Sequence, residues 1–232
     1  MIGHPERAAP IAEPTFLRTL WEDCWPNLTG LLGANLLFLL WCAPALVASA
    51  LQLHGVAIGV ALVTVGPGLL GLFTYASNLV LERRADVWQD NVSAFRGGFG
   101  AGVTVATVAL VALAAHLLAL ERAVAAGMTI GPVALWAGQV GILILLLLTG
   151  VHTLSLIGMY RQGVAEAFRN AVLLTLAHPM PTLGVVGAAV LVVLTSRALR
   201  WGPLIILPAL LTVLAVRTTH MLIAQHPHEE QS

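Results

Sequence analysis

The stretch "VGPGLLGLFTYASNLVLERR" (Val65–Arg84) decides the fold of this chain. It carries no charged residue before Glu82, and Arg83 and Arg84 follow at once. A helix needs about 20 mostly apolar residues to cross about 30 Å of hydrocarbon. The stretch is therefore typical of a membrane-spanning helix that ends at a charged boundary.

The composition of the whole chain supports a lipid environment. Of the 232 residues, 58% are hydrophobic and only 9% are charged, whereas a soluble domain has roughly 25% charged residues. Most of the outer surface must therefore face the lipid bilayer. The net charge is zero, so the composition gives no indication of nucleic-acid binding.

Six segments meet the length criterion for a membrane span. They are roughly Leu28–Ala50, Gly55–Leu81, Gly98–Leu120, Pro132–Met159, Pro181–Thr195 and Gly202–Ala224. The fifth is short, so five spans remain possible. Backbone groups in lipid must be satisfied within their own segment, which favours helices. The sequence predicts an all-α, polytopic transmembrane bundle over residues 28–224, with an amphipathic N-terminal segment (1–27) and a disordered cytoplasmic tail (225–232).

Arginine placement predicts the orientation, because cytoplasmic loops carry an excess of basic residues. With six spans and a cytoplasmic N-terminus, three arginines fall outside: Arg122, Arg197 and Arg200. Eight fall inside: Arg7, Arg18, Arg83, Arg84, Arg96, Arg161, Arg169 and Arg217. We therefore expect a multi-pass protein with both termini in the cytoplasm; with five spans only the C-terminus would move outside.

Three polar segments on the predicted cytoplasmic side have helical apolar stripes. The stripes are Leu17, Leu20, Trp21, Cys24, Trp25 and Leu28; Trp88, Val92, Phe95 and Phe99; and Tyr160, Val164 and Phe168. The opposite faces carry Arg18, Glu22 and Asp23; Asp86, Asp90 and Arg96; and Gln162, Glu166 and Arg169. This pattern predicts short helices lying in the membrane interface. Two of the segments, "VWQDNVSAFRGGF" (Val87–Phe99) and "YRQGVAEAFRNAV" (Tyr160–Val172), share Gln, four intervening residues and then Ala-Phe-Arg. The likeness is either a parallel internal repeat or coincidence.

The triplet Gly66-Pro67-Gly68 is a candidate helix break. Proline removes a backbone hydrogen bond and clashes with the preceding turn. One interpretation is a broken helix at a substrate site, as in transporters. The other is a kink with close helix packing, since small residues let membrane helices approach.

Polar residues at membrane depth are a second set of candidates, because leaving them unpaired there is costly. They are Asn35, Asn78, His116, Gln139 and His152. His116 and His152 lie on different predicted helices and could approach each other; alternatively, each is hydrogen-bonded between helices. The acidic candidates for catalysis, Glu82, Asp86, Asp90 and Glu166, each have an arginine nearby and are interpreted as solvated ion pairs. We expect no enzyme, no cofactor and no metal site, although His226 and His228 are potential metal ligands.

Four stretches in order carry a resemblance to a known family. They are "NLLFLLWCAPAL" (Asn35–Leu46), "VGPGLLGLFTYASNLVLERR" (Val65–Arg84), "VSAFRGGF" (Val92–Phe99) and "FRNAVLLTLAHPMPTL" (Phe168–Leu183). Together they resemble the YesL-like family of bacterial membrane proteins. The resemblance implies an inner-membrane protein, often encoded beside carbohydrate ABC importers, and no known catalytic residue.

Two functional hypotheses follow. The first is an accessory or interaction protein of a carbohydrate uptake system, which docks an ABC transporter subunit or a cytoplasmic protein. Its candidate docking face consists of Arg83, Arg84, Trp88, Phe95, Arg96, Glu166, Phe168 and Arg169. The alternative is a transporter or permease subunit with a polar midplane site lined by Asn35, Asn78, Gln139 and His152. The sequence leaves the oligomeric state open.

Overall fold

The computed structural model describes residues 13–198 and 206–224, and within these ranges it contains helices and no strand. The helices are α1 (Glu13–Cys24), α2 (Leu28–Ala50), α3 (His54–Glu82), α4 (Val87–Ala125), α5 (Ile130–Tyr160), α6 (Val164–Ala177), α7 (Pro179–Ala198) and α8 (Leu207–Ala224). The predicted tail 225–232, with His226 and His228, lies outside the described residues.

The all-α, multi-pass architecture predicted from sequence is confirmed. Five helices, α2, α3, α4, α5 and α8, are long and apolar enough to cross a membrane, and α6 with α7 would make a sixth. The α2 helix has the bounds predicted for the first span. Only 6% of the apolar 18-residue stretch of α4 is buried inside the protein. Nearly all of that stretch is therefore available for contact with lipid.

The fifth predicted span, Pro181–Thr195, is part of a bent pair of helices. α6 and α7 meet at His178 with an angle of 106°. His178 precedes Pro179, and a residue before proline is disfavoured in the helical region. Its backbone dihedrals, φ −133° and ψ 66°, lie outside that region, which ends α6 there.

The sequence predicted a separate interfacial helix over Trp88–Phe99, and this prediction is wrong. These residues form the first turns of α4, which continues without a break for 39 residues, or about 58 Å at ~1.5 Å per residue. No proline interrupts the join at Gly97 and Gly98. The amphipathic stripe and the apolar span therefore share one helix.

Tight packing is concentrated at one end of the bundle. The ends of α3 and α5 and the starts of α4 and α6 lie on the same side of the bundle, beside Arg83, Arg84 and Arg161. We call this side the arginine end and the opposite side the far end. The buried residues of α3 lie between Gly66 and Val80, and those of α5 between Thr149 and Gly158. Most side chains towards the far end are partly or fully exposed.

α8 packs chiefly against α3 and α5 and borders two surface cavities. Near its C-terminus, Ile223 lines a surface cavity with Tyr160, the last residue of α5. Near its N-terminus, Leu210 lines another cavity with Leu28, the first residue of α2. α8 also meets the length criterion for a membrane span.

Small and polar side chains, rather than large apolar ones, occupy the helix contacts of the α6 segment. Ala167, Ala171 and Thr175 are buried on one face of α6, whereas Phe168 is 39% exposed. Lipid solvates large apolar side chains as well as a protein core does, and small residues allow close approach of helices. The predicted apolar stripe through Phe168 therefore faces outward.

Candidate functional site

A hydrogen-bond network fixes the turn between α3 and α4. The Asn78 Nδ2 atom donates to Asp90 Oδ1 at 2.7 Å, and the backbone N–H of Asp86 donates to Asp90 Oδ2 at 3.0 Å. The carboxylate of Asp86 in turn accepts from the Gln89 N–H at 2.8 Å and caps α4. Arg83 ends α3 in the left-handed region, with φ 53°. The turn that presents Arg83 is therefore rigidly held.

Two predictions about this turn are corrected. Asp90 was expected on a solvated face, but it is buried because Asn78 and the Asp86 N–H supply hydrogen-bond partners. Asn78 was expected near the membrane midplane. It lies instead one turn before the end of α3, where it serves this network.

The candidate docking residues lie along the arginine end of α3, α4 and α6. Seven of the eight side chains are exposed: Arg83, Arg84, Trp88, Arg96, Glu166, Phe168 and Arg169. The eighth, Phe95, is partly buried and stacks on Trp41, with ring centroids 4.3 Å apart and planes 10° from parallel. Among the described residues, the salt bridges found do not involve any of these arginines.

The two Ala-Phe-Arg triplets have the same burial pattern. Ala94 and Ala167 are buried, whereas Arg96 and Arg169 are exposed. The helices that carry them differ, since α4 runs on without a bend and α6 ends at His178. The likeness is therefore one of local placement.

The Gly66-Pro67-Gly68 triplet is a helix crossing rather than a break. α3 continues through Pro67, and all three residues are buried. A Cβ atom on Gly66 would collide with the Gly102 carbonyl oxygen, and one on Gly102 would lie 2.6 Å from the Pro67 nitrogen. A Cβ on Gly68 would lie 3.1 Å from the Trp41 Cβ. The absent side chains let α3 meet α2 and α4 at backbone distance.

His152, one of the candidate midplane residues, joins three helices. Its Nδ1 lies 2.8 Å from Thr219 Oγ1 on α8, and its Nε2 lies 3.0 Å from Thr182 Oγ1 on α7. All three side chains are buried. Neither threonine was among the site residues predicted from the sequence, although a threonine inside an apolar helix is a recognisable hydrogen-bonding group.

The other midplane candidates do not meet His152. His116 contacts Trp136, with ring centroids 6.2 Å apart, and Trp136 precedes His152 by about 24 Å along α5 at ~1.5 Å per residue. The two histidines therefore do not approach each other. Asn35 is fully buried in α2, and Gln139 is partly exposed in the far half of α5. None of these polar residues lines either of the two surface cavities described here.

Asp23 of α1 lies beside Arg217 of α8, a pair that the sequence did not predict. Arg217 Nη1 lies 3.6 Å from Asp23 Oδ2, and both side chains are mostly buried. Burial raises the pKa of Asp23, while Arg217 and Arg83 act in the opposite direction. Burial beside Asp23 also raises the pKa of the Cys24 thiol to about 11, so this thiol is unreactive at neutral pH.

A search for metal ligands and comparisons with known proteins identify no further site. Among the residues that the structure describes, no group of three histidine, cysteine or acidic side chains is placed to hold a metal ion. No family model, curated protein or solved structure matches this chain.

Proposed function

We propose that this chain is a non-enzymatic interaction protein of the bacterial plasma membrane, with its N-terminus and its arginine end in the cytoplasm. The observation that carries the proposal is the set of exposed arginine and aromatic side chains at the tightly packed arginine end of the bundle. Arginine and aromatic residues are enriched at protein interfaces, and binding sites built on helices are positioned more precisely than sites on loops.

The partner we propose is a component of a carbohydrate uptake system, either a transporter subunit or a cytoplasmic protein. The resemblance to the YesL-like family supports this choice. The positive-inside rule supports the orientation, because it assigns Arg83, Arg84 and Arg161 to the cytoplasm.

Site-specific cross-linking tests the docking face. A photo-cross-linking amino acid at Trp88 should give an adduct with a transporter subunit or a cytoplasmic protein in native membranes. The same group at Ile130, an exposed residue at the far end, is the matched control. Alanine at both Arg83 and Arg84 should weaken the Trp88 adduct, and an adduct indifferent to this change would contradict the proposal.

Thiol labelling tests the orientation. In a variant with Cys24 and Cys42 replaced by alanine, a cysteine at Ala126 should react with an impermeant reagent added to spheroplasts. A cysteine at Arg84 should react only after the membrane is opened. The reverse pattern would place the arginine end outside the cell.

A further inference from the structure

A surface cavity of about 560 Å³ lies between the end of α5, α6 and the end of α8. Its polar lining consists of Tyr160, Gln162 and Asn170, and its apolar lining includes Leu156, Leu174 and Ile223. The side-chain amides of Asn170 and Gln162 are 3.4 Å apart. Neither the docking face nor the buried His152 network accounts for this cavity.

The polar and apolar parts of the lining lie at different depths. Tyr160 and Gln162 mark the arginine end, where α5 stops. Leu156 lies about 6 Å deeper along α5 at ~1.5 Å per residue, whereas the Asn170 amide reaches back to Gln162 at the end of α5. The cavity is therefore polar at the level of the helix ends and apolar towards the membrane interior, as an amphiphile requires.

Positive charge flanks the polar part. Arg161 lies between Tyr160 and Gln162 in the chain, and Arg169 precedes Asn170. Both arginines are exposed, and among the described residues neither takes part in a salt bridge. Basic pockets between membrane helices bind anionic lipid headgroups, and arginine offers phosphate a planar set of donors.

We propose that this cavity binds one anionic glycerophospholipid. An acyl chain lies against Leu156, Leu174 and Ile223, and the phosphate lies beside Arg161 and Arg169. The surrounding bilayer supplies this ligand. The site adjoins the docking face at Arg169, whereas Arg161, Leu156 and Ile223 lie outside that face, so variants of these three residues test the lipid site separately.

Lipid retention by the full-length protein tests the charge requirement. The protein in nanodiscs of phosphatidylcholine containing a minor fraction of phosphatidylglycerol is released into detergent and examined by native mass spectrometry. Wild type should retain one phosphatidylglycerol in preference to phosphatidylcholine. Arg161→Asn should weaken that retention about fivefold, the effect expected for one basic residue near an anionic surface.

Arg83→Asn is the matched control for the charge change. Arg83 and Arg161 both end a helix with φ 53°, a conformation that asparagine tolerates, and both substitutions remove one positive charge. Arg83→Asn should leave lipid retention unchanged and weaken the Trp88 cross-link, whereas Arg161→Asn should do the reverse. Equal retention of the two lipids, or equal loss in the two variants, would overturn the lipid site without touching the docking proposal.

Photolabelling tests the place of the acyl chain. A phosphatidylglycerol with a diazirine in its acyl chain should label Leu156, which is only 3% exposed and is reached through the cavity. Ala177→Trp should abolish this adduct by filling the cavity, and Ala134→Trp on the exposed far half of α5 should not. Labelling confined to exposed far-end residues would overturn the proposal.

Discussion

The Nδ1 atom of His152 lies 2.8 Å from the Oγ1 atom of Thr219, and this contact ties α5 to α8. The other ring nitrogen reaches Thr182 on α7. A neutral imidazole offers one donor and one acceptor, so one threonine hydroxyl accepts from the ring and the other donates to it. This one buried side chain therefore links three helices.

Thr219→Val should lower the thermal stability of the protein in detergent. The substitution keeps the shape of the side chain and leaves one nitrogen of His152 without its partner. Interhelical hydrogen bonds in membranes contribute about 0.6 to 1.7 kcal/mol, so we expect a loss of about 1 kcal/mol in the free energy of unfolding. The control is Thr195→Val, because the exposed Thr195 hydroxyl bonds to its own helix at Leu191 O; an equal loss there would argue against the network.

Gly102→Ala should destabilise the contact between α3 and α4. The added methyl group would lie 2.6 Å from the Pro67 nitrogen, so two backbones must separate. Overpacking of this kind costs about 1–3 kcal/mol, which thermal unfolding in detergent would measure. Gly100→Ala, two residues earlier with open space around it, should be neutral or slightly stabilising. Equal tolerance of both alanines would show that the crossing is looser than the distances indicate.

Asp90→Ala should release the turn between α3 and α4. It removes the acceptor of both the Asn78 amide and the Asp86 N–H, and hydrogen bonds to charged groups contribute about 1.5–3 kcal/mol. Hydrogen exchange of the Asp86 amide should therefore become faster, while amides at the far end keep their rates. Glu121→Ala, which removes an exposed acid at the far end, should leave the Asp86 amide protected. An Asp86 amide still protected in Asp90→Ala would contradict the network.

The attachment of α1 should weaken as the pH rises. Burial raises the pKa of Asp23 above its ordinary value of 3.8, so the folded state favours the protonated carboxyl group. The resulting stabilisation is complete below the unfolded pKa and is lost as the pH rises through the folded pKa. Hydrogen exchange of α1, corrected for intrinsic rates, should show the strongest protection in acid.

Asp23→Asn should make that protection independent of pH, because the titrating group is gone. Glu121→Gln is the control and should keep the wild-type profile. The pKa of Asp23 is raised above 3.8, so a wild-type profile that is already flat from pH 3.8 to neutrality would contradict this account of Asp23.

The sequence predicted which segments form helices, but not which side of each helix packs against the protein. α2 appeared with the predicted bounds because a long apolar run with polar flanks admits one solution in lipid. Periodicity identified the stripes through Trp88 and Phe168, but both side chains face outward while Asp90 is buried. A stripe does not say which side of a helix meets the protein, and in lipid the large apolar side can be the outer one.

The candidate site depended on tertiary partners that no local pattern contains. Asn78 and Asp90 are 12 residues apart, and His152 and Thr219 are 67 apart. The arginines of the candidate docking face were found from sequence because the boundary of an apolar run marks the membrane surface. Asp23 was assigned to a solvated face because its partner, Arg217, comes from the last helix.

The length of α4 has a consequence for the membrane around it. The uncharged part of α4, between Arg96 and Glu121, has 24 residues, or about 36 Å at ~1.5 Å per residue, and meets a hydrocarbon layer of about 30 Å. Such hydrophobic mismatch is relieved by tilt or by local thickening of the bilayer. The tightly packed arginine end resists reorientation, whereas the sparsely packed far half of the α4–α5 hairpin can lean. We therefore expect the tilt of the α4–α5 hairpin to depend on bilayer thickness, so that it differs between thin and thick membranes.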